Sequence, residues 1–360
     1  DYDTNLISNG GGIFSRNVKS ISLSPQIRRL LGIERNALPP NDLIRAILRM
    51  RVDLLWNGGI GTFVKASDES DEDVGDRAND SIRVNARELH CRVIGEGGNL
   101  GLTQAARIEY ARHGGRINTD FIDNSAGVDC SDHEVNIKIL LHDPIRDGWL
   151  AMGRRNELLS AMTEEVADIV LHNNYQQTEA LSMSEYHAVK MLPEHSAFMR
   201  WLEKRNYLQR DTWNLPDDDS IETRRLSGEG FTRPELAVLL SYSKIALFDD
   251  LLGSDVGSDP TLARDLSEYF PGPIVDGYSD EIVPHRLRPE IIATFVANNL
   301  INRLGFTAVY RLEELSGSTA PDIARAFMAC RRVFNLPALW EIVASLDNRV
   351  EAGHQLYLLG

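Results

Sequence analysis

The chain has 360 residues, and its 38 lysines and arginines against 53 aspartates and glutamates give a formal charge of -15. This negative balance argues against nucleic acid or anionic membrane as the main partner, because the average surface would repel both. Three dispersed cysteines, Cys91, Cys130 and Cys330, form no Cys-x-x-Cys pair. Their spacing disfavours a disulfide scaffold or a structural zinc site and favours the cytoplasm. No apolar run approaches the roughly 18 residues that a membrane span requires.

The amino-terminal residues carry no initiator methionine, basic region or apolar signal core. We therefore expect the chain to be cut from a longer protein. At roughly 100 to 200 residues per domain, its length suggests two domains or three small ones. Near residue 142 the sequence changes from glycine clusters between short apolar stretches to helical patterns. This change predicts one domain over residues 1–142 and a second over residues 143–360.

The first half alternates short apolar stretches with clusters of glycine. Residues 52–56, 91–94 and 117–122 have the length and composition of strands. Residues 43–50 and 103–112 repeat apolar side chains at helical spacing. Strands that alternate with helices predict an α/β domain with a mostly parallel sheet, and we expect the chemistry to lie in this half.

The second half carries helix start signals. The sequence Thr232-Arg233-Pro234-Glu235 is a capping box with proline in the first turn, and it predicts a helix over residues 236–247. Similar openings precede residues 291–304 and 323–334. The second domain is therefore predicted to be mainly helical.

The glycines from Gly95 to Gly101 follow one candidate strand and precede a candidate helix, and Asp120 lies about twenty residues further on. This order is similar to a dinucleotide fingerprint, in which an acid holds the ribose. The spacing is loose, and a tight turn that binds no phosphate explains the glycines equally well.

A second polar cluster occupies residues 123–134, just after a candidate strand, where parallel sheets bind ligands. It contains four potential metal ligands, Cys130, Asp132, His133 and Glu134. Because they are nearly consecutive and would point around the start of a helix, we predict that no metal is bound. We expect His133 to be a polar surface or capping residue.

Several long motifs resemble one known family. They are Val52-Asp53-Leu54-Leu55-Trp56-Asn57-Gly58-Gly59-Ile60-Gly61-Thr62, Gly95-Glu96-Gly97-Gly98-Asn99-Leu100-Gly101-Leu102-Thr103, residues 118–138, residues 232–244 and residues 285–288. Together they resemble the large bacterial class of NAD-dependent glutamate dehydrogenases, and the resemblance extends over nearly the whole chain. The Pro usual after the Glu-Gly-Ala-Asn turn of that family is Leu100 here.

The resemblance implies contacts with the cofactor NAD at five positions that the family pattern matches, namely Asn57, Gly58, Gly97, Asn99 and Asn124. It implies that Ser131 binds a substrate carboxylate. The implied reaction is the oxidation of L-glutamate to 2-oxoglutarate and ammonia with reduction of NAD, in a cytoplasmic homo-oligomer.

The resemblance also implies what the chain lacks. The first domain would be a partial Rossmann-like domain without its first strands, and the phosphate-binding turn and the catalytic lysines would lie upstream of Asp1. We therefore predict no catalytic residue within the chain and no activity of the chain alone. An alternative stays open, in which a helical assembly or regulatory module is attached to a nucleotide-binding domain without redox chemistry.

Overall fold

A computed structural model describes residues 3–262 and 264–359. The chain divides into two compact units, Asp1–Asn124 and Ser125–Gly360. The division falls one helix before residue 142, where the sequence predicts the domain boundary, and that boundary stays a prediction.

Short strands and helices alternate in the first unit. The strands in its described part are β1 (Ile21–Ser22), β2 (Ala37–Leu38), β3 (Leu54–Asn57), β4 (Val64–Lys65), β5 (Val84–Asn85), β6 (Val93–Glu96) and β7 (Arg116–Ile117). The helices are α1 (Pro25–Leu31), α2 (Pro40–Leu48), α3 (Asp71–Val74), α4 (Gln104–Arg112) and α5 (Asp120–Asp123).

The central sheet of this unit is parallel and has the order β3-β6-β7. Asn57 lies opposite Glu96, so β3 and β6 end at the same level. A second parallel pair joins β4 to β5, and an antiparallel pair joins β1 to β2. The predicted α/β class with a parallel sheet is confirmed at this level.

The predicted strands at 52–56 and 91–94 are present, and each begins two residues later than predicted. The strand predicted over residues 117–122 is wrong beyond Ile117, because α5 begins at Asp120. Thr119 has extended backbone before this helix, and Asp120 and Asp123 place carboxylates in its first turn, where they are stabilised by the helix dipole. The apolar residues Phe121 and Ile122 give this segment the composition of a strand despite these signals.

The second unit is helical throughout its described residues. Its helices are α6 (Ser125–Leu140), α7 (His142–Arg146), α8 (Met152–Ala161), α9 (Thr163–Tyr186), α10 (Leu192–Lys204), α11 (Asp218–Ser227), α12 (Arg233–Leu252), α13 (Gly272–Gly277), α14 (Ser279–Ile282), α15 (Arg288–Leu304), α16 (Ala308–Ser316), α17 (Ala320–Val333), α18 (Leu336–Ala344) and α19 (Ala352–Leu359).

Helix α12 is the centre of this unit and packs against α9, α10, α15 and α17. It opens with the predicted capping box, in which the Thr232 and Glu235 side chains each bond the other's backbone. Leu236, Leu239 and Leu240 are fully buried in the core. No helix among the described residues has both the length and the apolar character that a membrane crossing would need.

Candidate functional site

The carboxyl ends of β3 and β6 are joined by backbone hydrogen bonds. The Asn57 carbonyl oxygen accepts from the amides of Gly97 at 2.8 Å and Gly98 at 3.1 Å. The Asn57 side chain turns back, and its Oδ1 accepts from the Gly59 amide at 2.7 Å. Asn57, Gly58 and Gly97 therefore lie together at the edge where parallel sheets bind ligands.

Close packing of these two turns explains the glycines around them. A Cβ atom at Gly98 would lie 2.2 Å from the Gly59 carbonyl oxygen, and one at Gly101 would lie 1.6 Å from Nδ2 of Asn57. At Gly97 it would meet the Trp56 indole at 2.5 Å. The glycines thus serve a tight turn, which is the second of the two interpretations that their spacing allows.

Two further asparagines complete this edge. Asn124 ends α5, and its Nδ2 donates to Oδ1 of Asn99 at 3.0 Å. Asn99 is exposed and Asn124 is half-buried, while Ile60 and Leu100 beside them are exposed apolar residues. The five positions that the sequence associates with the cofactor therefore occupy one accessible sheet edge in the first unit.

A network of buried charged side chains supports this sheet edge from inside the first unit. Glu96 is fully buried and accepts from Arg107 through two hydrogen bonds, of 2.7 Å and 2.9 Å. Arg107 also lies 3.1 Å from Oδ1 of Asp120. Burial raises the pKa of Glu96, and the charge of Arg107 opposes that effect. The network fixes the end of β6 to α4 and α5.

Asp120 has a structural role in this network. Its Oδ2 accepts a hydrogen bond from the Leu100 amide at 2.8 Å. Leu100 has a φ of 61°, in the left-handed region, and this hydrogen bond holds it in that conformation. Only 7% of Asp120 is exposed, so its carboxylate is committed inside the unit and does not serve as an acid for a ribose.

Asp123 fixes the same edge from α5. Its Oδ2 accepts from the Glu96 amide at 2.9 Å, and its Oδ1 accepts from Nδ2 of Asn118 at 2.6 Å. The roles of Asp123, Arg107 and the Glu96 carboxylate are not predicted by the sequence pattern. The one available signal was a charged residue at the end of an apolar strand, which requires a partner when it is buried.

Ser131 belongs to the second unit and lies on α6. It is exposed, and its Oγ donates to the Gly127 carbonyl one turn earlier at 3.2 Å. The opposite side of this helix is tied to α9, because Nδ2 of Asn173 donates to Asp129 at 2.8 Å. The structure therefore presents the Ser131 hydroxyl on the open face of a fixed helix.

His133, on the same helix, is completely buried, so the expectation of a surface or capping residue was wrong. Its ring stacks on Tyr269 at 4.2 Å and lies 3.5 Å from Oδ1 of Asp129. Burial lowers the pKa of His133. Across residues 3–262 and 264–359, no group of three or more His, Cys, Asp or Glu side chains is placed to hold a metal ion.

Two family models match the chain. The model described as Bacterial NAD-glutamate dehydrogenase, catalytic domain, matches residues 1–184, and the model described as Glutamate dehydrogenase, C-terminal, matches residues 228–360. The chain belongs to the bacterial NAD-glutamate dehydrogenase family. The predicted family membership is thereby confirmed.

Three similar proteins are named NAD-specific glutamate dehydrogenases. The chain is 49% identical to the NAD-specific glutamate dehydrogenases of Halomonas elongata and Pseudomonas aeruginosa over its whole length. It is 43% identical to that of Mycobacterium tuberculosis over 99% of its length. In each case the chain spans 22% of the relative's own length.

The second unit also contains a titratable group to which the sequence pattern gives no role. Lys244 on α12 donates through Nζ to Oε1 of Gln177 on α9 at 2.7 Å. Burial lowers the pKa of Lys244 to about 7, although the charge of Asp129 opposes that effect. Its two polar neighbours, Gln177 and Asp129, lie on α9 and α6, and helical periodicity alone does not show that these helices meet α12.

Proposed function

We propose that the chain forms part of an NAD-dependent glutamate dehydrogenase. The reaction converts L-glutamate, NAD⁺ and water to 2-oxoglutarate, ammonium, NADH and a proton. The observation that carries the proposal is the convergence of Asn57, Gly58, Gly97, Asn99 and Asn124 at one accessible sheet edge. The names and family of the relatives agree with it.

The side chains at this edge suit the nicotinamide end of the cofactor. When bound, NAD⁺ accepts a hydride from the α-carbon of the substrate. An asparagine has two N–H donors and one carbonyl acceptor, and the bond to Asn99 uses one donor of Asn124. Asn124 can therefore orient the cofactor's carboxamide. Gly58 is exposed beside it and has no side chain to block a ligand, so the chain's own contribution is to position the cofactor.

Ser131 is our proposed ligand for a substrate carboxylate, since its hydroxyl is exposed on α6. None of the six proposed contacts has a side chain suited to act as a general base, and we assign the proton transfers to other parts of the enzyme. The parallel sheet and its helices would be part of a Rossmann-like domain.

Location and assembly complete the proposal. Cys91 is buried, Cys130 and Cys330 are exposed, and all three are free thiols, which suits the cytoplasm. A homo-oligomer is supported by apolar side chains exposed near the end of the chain, including Val333, Phe334 and Ile342.

The cofactor edge can be tested in the full-length enzyme with a matched pair of glycine variants. Gly98→Ala forces a Cβ atom into the Gly59 carbonyl, whereas a Cβ atom at Gly59 has nothing within 4 Å. We expect Gly98→Ala to raise the KM for NAD by about tenfold or more, because displaced contacts lose alignment with the cofactor. Gly59→Ala should leave that KM unchanged.

A third variant keeps the test decisive if Gly98→Ala does not fold. Asn124→Ala removes the amide from the edge without a backbone clash, and it should also raise the KM for NAD. Steady-state NADH production measures all three variants. A KM for NAD that is unchanged in folded Asn124→Ala would remove this edge from the cofactor site.

The proposed substrate role of Ser131 is tested through the KM for glutamate. Ser131→Ala should raise the KM for glutamate by about tenfold while the KM for NAD stays constant, because one hydrogen bond to a charged group is lost. Ser160→Ala, at an exposed serine of α8, is the control. If the KM for glutamate does not change, Ser131 lies outside the site.

A further inference from the structure

Trp56 is an exposed aromatic residue near the end of β3, next to Asn57 of the proposed cofactor edge. It is 62% exposed, the largest exposed fraction among the chain's five tryptophans. Leu55 before it packs against the core that α4 covers. Successive side chains of a strand point to opposite faces of the sheet, so Trp56 lies on the other face. The cofactor contacts proposed above do not include it.

The indole ring of Trp56 lies over two glycines of the neighbouring chain segment. A Cβ atom at Gly95 would lie 2.7 Å from Cε3 and Cζ3 of the indole, and one at Gly97 would lie 2.5 Å from Cζ2 and 2.9 Å from Cε2. The six-membered ring therefore spans both glycines, and a side chain at either position would displace it. One side of the ring is in contact with this backbone.

The side of the ring that is turned away from the glycines is accessible. In the second unit, Trp201 and Trp340 each have a guanidinium over the ring, that of Arg205 at 4.5 Å and that of Arg303 at 4.6 Å. No cation or aromatic ring among the described residues takes this place on Trp56. Tryptophan is the aromatic side chain that attracts a cation most strongly. Trp56 therefore offers a ligand a free aromatic face.

This face adjoins the proposed cofactor positions. The ring of Trp56 is in contact with Gly97, and its Nε1 would lie 3.5 Å from a Cβ atom at Gly58. A cofactor that contacts both glycines therefore also reaches the indole. Because Asn124 at the same edge is our proposed partner for the carboxamide, the nicotinamide ring is the part of the cofactor that lies here.

The nicotinamide ring differs in charge between the two forms of the cofactor. It is a pyridinium cation in NAD⁺ and an uncharged dihydropyridine in NADH. An indole face attracts a cation through its quadrupole, and this attraction is absent for an uncharged ring. The adenine, the riboses and the phosphates are the same in both forms. A contact between Trp56 and the nicotinamide would therefore distinguish NAD⁺ from NADH.

We propose that Trp56 binds the nicotinamide ring and makes the enzyme favour NAD⁺ over NADH. This inference rests on the proposed dehydrogenase function and adds a residue that determines specificity for the oxidation state of the cofactor. Such a preference suits an enzyme that takes up NAD⁺ and releases NADH.

The dissociation constants of the full-length enzyme for the two forms test the proposal. A fluorescence titration gives the constant for NADH, and displacement of NADH by NAD⁺ gives the constant for NAD⁺. Trp56→Leu keeps an apolar side chain but has no aromatic face. We expect it to raise the constant for NAD⁺ about tenfold and that for NADH less than about threefold. Trp56→Phe keeps an aromatic ring and should retain part of the preference.

Two exposed apolar residues provide controls. Trp149→Leu makes the same change at a tryptophan of the second unit that is 57% exposed, and it should alter neither constant. Leu54→Ala shortens a side chain on the same strand and the same sheet face as Trp56, where Leu54 is 53% exposed. It should leave the ratio of the two constants unchanged, because it removes apolar surface without removing an aromatic face.

A fluorescence measurement keeps the test decisive if Trp56→Leu does not fold. A pyridinium cation in contact with an indole quenches its emission. Saturating NAD⁺ should therefore quench less tryptophan emission in Trp56→Phe than in the wild type, by the contribution of one tryptophan. If NAD⁺ quenches the same amount in both proteins, the cofactor does not reach Trp56.

The ratio of the two constants decides the outcome. If Trp56→Leu raises both constants by the same factor, or raises neither, the proposal is overturned, because adenine stacking or a structural role would act on both forms alike. Asn124→Ala separates this failure from failure of the proposed function. A raised KM for NAD in Asn124→Ala with an unchanged ratio in Trp56→Leu would reject only the role of Trp56, whereas no response in either variant would reject the cofactor edge itself.

Discussion

The sheet edge of the first unit and the wall of a cavity in the second unit bury polar side chains in opposite ways. In the first unit, Glu96, Arg107 and Asp120 satisfy one another inside the protein. In the second, Nδ1 of His195 on α10 and Oδ1 of Asn302 on α15 are buried without a hydrogen-bond partner among the described residues, although both residues line the cavity. The first arrangement is a closed network that holds a turn in place, and the second is an open one whose unpaired buried atoms each cost about 1–3 kcal/mol. Burial of polar groups alone therefore does not identify a ligand site, and their pairing must be examined.

The largest expected effect comes from opening the closed network. Arg107→Met removes the cation and leaves the Glu96 and Asp120 carboxylates buried without it. Such unpaired buried charge costs about 3–5 kcal/mol. We expect a loss of this size in the free energy of unfolding, measured by urea denaturation at neutral pH.

An exposed ion pair provides the matched control for this variant. Arg92 and Asp53 are 3.3 Å apart, with 79% and 88% of their side chains exposed. Arg92→Met should change the free energy of unfolding by less than about 1 kcal/mol. If Arg107→Met costs no more than Arg92→Met, the buried network does not hold the sheet edge as described.

The sequence predicts the sheet edge well because its signals are local. Asn57 and Gly97 each follow a short apolar stretch, and parallel strands bring their carboxyl ends to one edge. The capping box at Thr232 is local in the same sense, and the structure contains it. The strand predicted past Ile117 was wrong because two apolar residues of a single helical turn have the composition of a strand.

The supporting network and the cavity could not be predicted in the same way. Glu96 and Arg107 meet only once α4 has packed against β6, and no period in the sequence relates them. His195 and Asn302 belong to helices far apart in the chain and share a cavity through tertiary packing alone. Their unpaired atoms are a property of the packed helices, so residue type and spacing contain no signal for them.

A smaller effect, from the open network, depends on pH. Burial lowers the pKa of His195 from 6.5 to about 4, so the unfolded chain binds the proton first as the pH falls. Between these two values the folded state loses stability relative to a variant without the imidazole, and above 6.5 the two do not differ on this account. We expect His195→Phe to gain about 2 kcal/mol relative to the wild type when the pH falls from about 7.5 to about 5.

Urea denaturation at the two pH values measures this gain. The other ionisable groups that line the cavity, including Glu179, Lys190 and Arg303, are present in both proteins, so their titration largely cancels in the difference. Asn302→Leu is the matched control, because it removes an unpaired polar group of the same cavity that does not titrate, and its effect should be the same at both pH values. A pH-independent difference for His195→Phe would mean that protons reach the imidazole in the folded state. The contrast between the closed network of the first unit and the unpaired buried groups of the second would then not hold for His195.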